Sequence, residues 1–141
     1  MQGLRSLVER HYQNLSTGEV AGEDALFSPE VVTVEPAAGT IRGLDAFKAY
    51  AQAFRTAFPD GQHRLTSVVE SGSLVAAEGT FTGTQQGPLS GPGGELPPTG
   101  RQVEFSFADF FEVEGGRIVR HCLYYDQVTF LTQLGLLPGP P

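Results

Sequence analysis

Residues 103–126, VEFSFADFFEVEGGRIVRHCLYYD, constrain the fold more than any other stretch of the chain. Val103, Phe105, Phe107, Asp109, Phe111 and Val113 occupy the odd positions of the first half. Glu104, Ser106, Ala108, Phe110, Glu112 and Glu114 occupy the even ones. Apolar residues that recur every second position describe a strand with one face in a core. Glu114-Gly115-Gly116 then supplies a turn, and Arg117 to Asp126 supplies the returning arm. The result is a β-hairpin with a carboxylate, Asp109, in the middle of its buried face. A lone charge there is costly, so Asp109 is expected to find a partner or hold a proton.

A three-residue loop with Gly116 in the left-handed conformation would set Val113 opposite Arg117. Phe111 would then face Val119, Asp109 would face His121, Phe107 would face Leu123 and Phe105 would face Tyr125. This register is preferred because a slip of one residue sets Cys122 against Asp109 and leaves the carboxylate unpaired.

The chain has 141 residues, of which 40% are hydrophobic, enough for one domain spanning 1–141 with a real core. Its net charge of −7 argues against nucleic acid or an anionic membrane as partner. The single cysteine, Cys122, precludes an intrachain disulfide and fits a reducing compartment. The first residues carry charges and lack the apolar run of a signal peptide, and no stretch is long enough to span a membrane. A cytoplasmic protein is expected.

Leu4, Leu7, Val8, His11 and Leu15 lie at helical spacing, and the pattern stops near Gly18. A short helical piece over 22–27 and a strand over 31–34 follow, then a loop over 37–43. Phe47, Tyr50, Phe54 and Phe58 mark a second helix that Pro59-Asp60-Gly61 ends. HRLTSVVE and LVAAEGTFTG, either side of Ser71-Gly72-Ser73, read as a hairpin. Residues 83–100 form a Gly/Pro-rich loop, read either as a pocket lid or as a disordered insertion. A terminal helix over 128–137 and a frayed tail over 138–141 complete the chain.

Helices followed by consecutive antiparallel strands indicate an α+β fold, with a curved sheet wrapped round the N-terminal helices. Such a sheet leaves a cavity. Phe54 and Phe58 would form one wall and the odd face of 103–125 the other, with Phe107 and Leu123 among its residues. Asp109 and His121 would project into it. A mostly apolar cavity with a few convergent polar groups is the usual site for a hydrophobic small molecule.

Within that site Asp109 suits a general acid or base acting next to a carbonyl, and His121 suits a relay or an orienting group. The alternative for both is a structural role, as a carboxylate held by donors and a satisfied core histidine. Tyr12 could donate to a developing oxyanion, whereas Tyr124 falls on the other face of the hairpin. His11, on the buried stripe of the first helix, could reach the cavity, although most residues so placed are packing. Asp126 reads as the cap of the last helix. Phe110 and Tyr124, exposed among charges, suggest a homodimer surface. The histidines at 11, 63 and 121 have no metal-ligand spacing, and the Gly-rich loop does not open a helix as a phosphate site would. The chemistry is read as independent of metal or cofactor.

The strings FSPEVVTVEP, IRGLDAFKAYAQAFRTAFPD, GTFTGTQQG, PPTGRQVEFSFADFFEVEGGRIV and YYDQVTFLTQLGLL resemble the SnoaL-like polyketide cyclases. That family lies within the wider nuclear-transport-factor-2-like and ketosteroid-isomerase-like superfamily. The resemblance spans nearly the whole chain. It implies an α+β cone, a cofactor-free pocket and often a homodimer. It also implies an acid/base pair of His and Asp on the two strands of the hairpin. In an ungapped placement Asp109 stands at the His position and Leu123 at the Asp position, so the polar pair here would be rebuilt as Asp109 with His121. Two functions follow as expectations. One is a polyketide cyclase or steroid isomerase-like enzyme acting on a carbonyl compound. The other is a module of the same fold that binds without chemistry.

Overall fold

The computed structural model describes residues 3–91 and 94–137. Helix α1 (Leu4–Thr17) buries Val8, His11 and Tyr12. It ends at Gly18, whose φ of 82° is the left-handed conformation that glycine adopts without strain. A 3₁₀ turn (Val20–Ala25) leads into β1 (Phe27–Glu35) and β2 (Gly39–Arg42). Helix α2 (Leu44–Ala57) lays Phe47 and Ala51 on the core. It is tied to the end of α1 by the Arg55 guanidinium, which donates to the Ser16 carbonyl at 3.0 Å. Strands β3 (Gln62–Ser71) and β4 (Leu74–Thr84), the small pair β5 (Leu89–Gly91) and β6 (Gly94–Leu96), β7 (Gln102–Glu114) and β8 (Arg117–Tyr125) follow, then α3 (Gln127–Gln133).

Six strands form one curved sheet in the order β2-β1-β8-β7-β4-β3. The fold is α+β, as expected. The sheet departs from the expected antiparallel pattern at one seam, since β1 and β8 run parallel. Four further expectations are revised. The strand expected at 31–34 starts earlier, at Phe27. The loop read over 37–43 contains β2, which pairs with β1 from Val32↔Arg42 to Glu35↔Gly39. The described residues of 83–100 do not form a disordered insertion. They carry the β5/β6 pair and are pinned by the buried Gln85, whose Oε1 accepts from the Thr99 hydroxyl at 2.7 Å. The last helix is shorter than 128–137, and the tail at 138–141 lies outside the described residues.

The hairpin itself forms with a different register. Glu114 pairs with Arg117 across a two-residue turn, with Gly115 and Gly116 at φ 59° and 77°. Two successive positive φ values are what a tight hairpin turn of this length demands. The ladder then irregularly skips Val119, so that Val113 faces Ile118 and Glu112 faces Arg120. This bulge restores the odd residues to the inner face. Phe111 therefore faces His121, Asp109 faces Leu123 and Phe107 faces Tyr125. The expected register sets Arg117 on the apolar face. The bulge instead buries Ile118 completely and leaves Arg117 outside.

Phe27, Phe58, Phe81 and Phe111 are each under 2% exposed and form the heart of the core. Each such ring contributes about 2–3 kcal/mol relative to exposure. Among the described residues no helix is long and apolar enough to cross a membrane.

Candidate functional site

Between the helices and the inner face of the sheet lies a cavity of about 520 Å³. All seven residues expected at the site line it: Tyr12, Phe54, Phe58, Phe107, Asp109, His121 and Leu123. Aromatic rings are prominent in the wall. Phe54 meets Phe58 at 4.9 Å and Phe81 at 5.1 Å between centroids.

Asp109 is 2% exposed and is the centre of a polar cluster. Its Oδ2 accepts the Tyr12 hydroxyl at 2.8 Å. His121 Nδ1 lies 3.3 Å from Oδ1 and 3.4 Å from Oδ2. The two residues are not the cross-strand partners that the expected register makes them. They meet diagonally, with Leu123 directly across from Asp109. On its other side His121 Nε2 lies 2.8 Å from the buried Thr33 hydroxyl of β1. The tautomer that satisfies both contacts carries its proton on Nδ1, toward Asp109, and accepts the threonine hydroxyl at Nε2. The ring is held flat on Phe111, with centroids 5.3 Å apart and planes within 4°. Burial, and then the charge of Asp109, push the Tyr12 phenol well above its usual value, so it stays a donor.

Glu35, Tyr50, Tyr125 and His63 are further polar groups of the wall that were not foreseen as site residues. Glu35 is 2% exposed and accepts from the backbone N–H groups of Ala37 at 2.9 Å and Ala38 at 2.8 Å. Burial and the nearby Glu35 carboxylate raise the phenols of Tyr50 and Tyr125, which border the same cavity. A signal for Glu35 existed, since it falls in phase with Val31 and Thr33 along β1. His63 also lines the cavity, and burial followed by the charge of His11 pushes its imidazole down to about 3. His11 reaches the cavity, the less common of its two expected placements, and lies 2.5 Å from the fully buried Glu23.

Tyr124 is 55% exposed on the outer face beside Phe110, with ring centroids 6.2 Å apart, as the alternation indicated. Asp126 caps α3, accepting the Thr129 N–H at 3.0 Å and its hydroxyl at 2.6 Å. Among the described residues no group of three or more His, Cys, Asp or Glu side chains is placed to hold a metal ion. The arrangement can hold an apolar molecule and exchange a proton with it at Asp109, between one phenol donor and one imidazole.

Comparison with known proteins agrees with this architecture. The family model for SnoaL-like polyketide cyclases matches residues 6–134. No curated protein sequence matches significantly. Among solved structures, the chain is similar to IdmH of Streptomyces antibioticus, described as a candidate polyketide cyclase. The two are 28% identical with a TM-score of 0.81, over 95% of this chain and 99% of that one. It is also similar to TsrD of Streptomyces laurentii, at 26% identity and TM-score 0.81, over 94% of each chain. AclR of Streptomyces galilaeus, described as a candidate hydroxylase, is 25% identical with a TM-score of 0.83, over 98% of this chain and 84% of that one.

Proposed function

Because the chain belongs to the SnoaL-like polyketide cyclase family, we propose that its cavity takes a hydrophobic carbonyl compound of the polyketide kind and that Asp109 moves a proton on it. The observation that carries this reading is the Asp109 cluster: a carboxylate 2% exposed in an aromatic cavity, held by Tyr12 and faced by His121. A carboxylate so placed removes a proton from the carbon next to a carbonyl. His121 keeps that carboxylate oriented, and Thr33 keeps His121 oriented. The residual electron pair collects on the carbonyl oxygen, where a donor lowers its energy. An enol or enolate then isomerises or attacks a second carbonyl of the same molecule, which gives an isomerase or a cyclase. The cavity volume lies in the range that small-molecule sites use and accommodates a fused-ring compound. No metal or organic cofactor enters this scheme.

The test is exchange of the α-hydrogens of 1-tetralone for deuterium in heavy water, followed by proton NMR. The native protein should accelerate exchange, and Asp109→Asn should remove roughly a hundredfold or more of that acceleration. Binding of the ketone by calorimetry without faster exchange would replace the enzyme with the second reading, a binding module of the same fold.

A further inference from the structure

His11 and Glu23 are used by nothing described so far, yet they form the tightest polar contact at the cavity. Glu23 is 0% exposed, and one carboxylate oxygen lies 2.5 Å from His11 Nδ1. The other accepts the Asn14 side-chain amide at 2.8 Å. A buried carboxylate with both oxygens so engaged fixes the ring of His11 and keeps a proton on its Nδ1. The remaining nitrogen is therefore the working one. Among the described residues, the single sealed side-chain nitrogen or oxygen without a partner is His63 Nδ1. Among the described residues His11 Nε2 has no protein partner either, so it is not sealed, and the open space that the ring borders is the cavity. The ring sits 4.8 Å from Tyr12 and 6.1 Å from His121 between centroids, beside the Asp109 cluster. Its other neighbours, Phe27, Phe47 and Phe111, bring no charge.

We infer that His11, positioned by Glu23 and Asn14, is a second proton-handling residue of the cavity and donates from Nε2 to the oxygen of the bound carbonyl compound. The inference rests on the proposed Asp109 chemistry and completes it. Asp109 takes the α-hydrogen as a proton, and the C–H pair becomes the enol double bond as the carbonyl π pair moves to oxygen. The Nε2–H bond of the His11 imidazolium breaks and an O–H bond forms, leaving neutral imidazole with Nδ1–H still on Glu23. In a cyclisation the enol carbon then bonds to a second carbonyl carbon. The enol proton returns to His11 Nε2, and the new alkoxide takes the proton from Asp109. Both groups end as they began, and the product is an isomer of the substrate. The ligand class is accordingly a compound with two carbonyl oxygens, one facing His11 and one facing Asp109.

The experiment reads the His11 nitrogens by long-range proton–nitrogen NMR on the wild-type protein, with 2-naphthol as an enol mimic and naphthalene as its control. Saturating 2-naphthol should move the Nε2 resonance of His11 by several ppm, and naphthalene should not. In Glu23→Gln, α-exchange of 1-tetralone should fall roughly tenfold to a hundredfold, with the ketone still bound. An Nε2 signal unmoved at saturating 2-naphthol overturns the inference, whether the naphthol binds elsewhere or not at all. So does a Glu23→Gln protein that exchanges as fast as a wild type that does accelerate exchange. If Nε2 responds but the wild type exchanges no α-hydrogen, the His11 contact stands and the proton transfer assigned to Asp109 fails. If exchange depends on Asp109 and Nε2 does not respond, the reverse holds.

Discussion

His63 shows how one side chain sets a pH dependence. Its imidazole is pushed down to about 3, chiefly by burial, whereas in the unfolded chain it titrates near 6.5. Between those values the unfolded state binds a proton that the folded state refuses. Stability contributed by neutral His63 is therefore complete above about pH 6.5 and is lost as pH falls toward 3, by about 1.4 kcal/mol per pH unit. His63→Leu should flatten that part of the stability curve when urea midpoints are compared from pH 7 to pH 4. Other residues of the site were legible to different degrees. Asp109 was legible because a charge breaks an apolar alternation, whereas Tyr12 lies outside the stripe Leu4, Leu7, Val8, His11 and Leu15 and was offered only as a phenol able to donate. Glu23 gave no such signal. It lies in a short turn of mixed residues, and its burial depends on Asn14 and His11, which come from the previous helix.

At the scale of elements, the hairpin was legible and its register was not. Two loop lengths fit Glu-Gly-Gly, and the choice between them is decided by a bulge that no local pattern marks. The one clue was Arg117, a charge that the three-residue loop would have set on the apolar face. A comparable device operates between β3 and β4, where the pairing slips between Leu65 and Ser67 opposite Gly79. A Cβ at Gly79 would overlap the Arg64 carbonyl oxygen and crowd the Phe107 ring. Because the clash is with backbone, it cannot be relieved by a rotamer change. Gly79→Ala should cost about 3 kcal/mol, visible as a lower urea midpoint with an unchanged slope.

For the molecule as a whole, the α+β class and the cavity walls followed from the order of elements and the aromatic spacing. The parallel seam did not, because strand order across the sheet is a long-range property that local alternation does not encode. The outer face of β7 and β8 carries Phe110, 43% exposed, and Tyr124. We propose this face as the contact of a homodimer, in keeping with exposed aromatics on a sheet. Sedimentation should give a dimer for the native chain and a monomer for Phe110→Lys with Tyr124→Lys. A native monomer at high concentration removes the proposal.

The same seam has a consequence for how the chain reaches its folded state. Thr33 and His121 are 88 residues apart in sequence, and Tyr12 and Asp109 are 97 apart, whereas the two arms of the hairpin lie 12 apart at Asp109 and His121. Short loops close at lower entropic cost, so the β3–β4 and β7–β8 hairpins come early and the β1 seam comes late. In that interval the inner face of β7 is uncovered, with Phe105, Phe107, Phe111 and Val113 in a row. Asp109 interrupts the row with a charge pointing off the apolar face, which is how natural sheets discourage pairing with a second chain. On this order of assembly the carboxylate at the centre of the finished cavity should also guard the unfinished sheet, and Asp109→Leu should raise light scattering during refolding from urea.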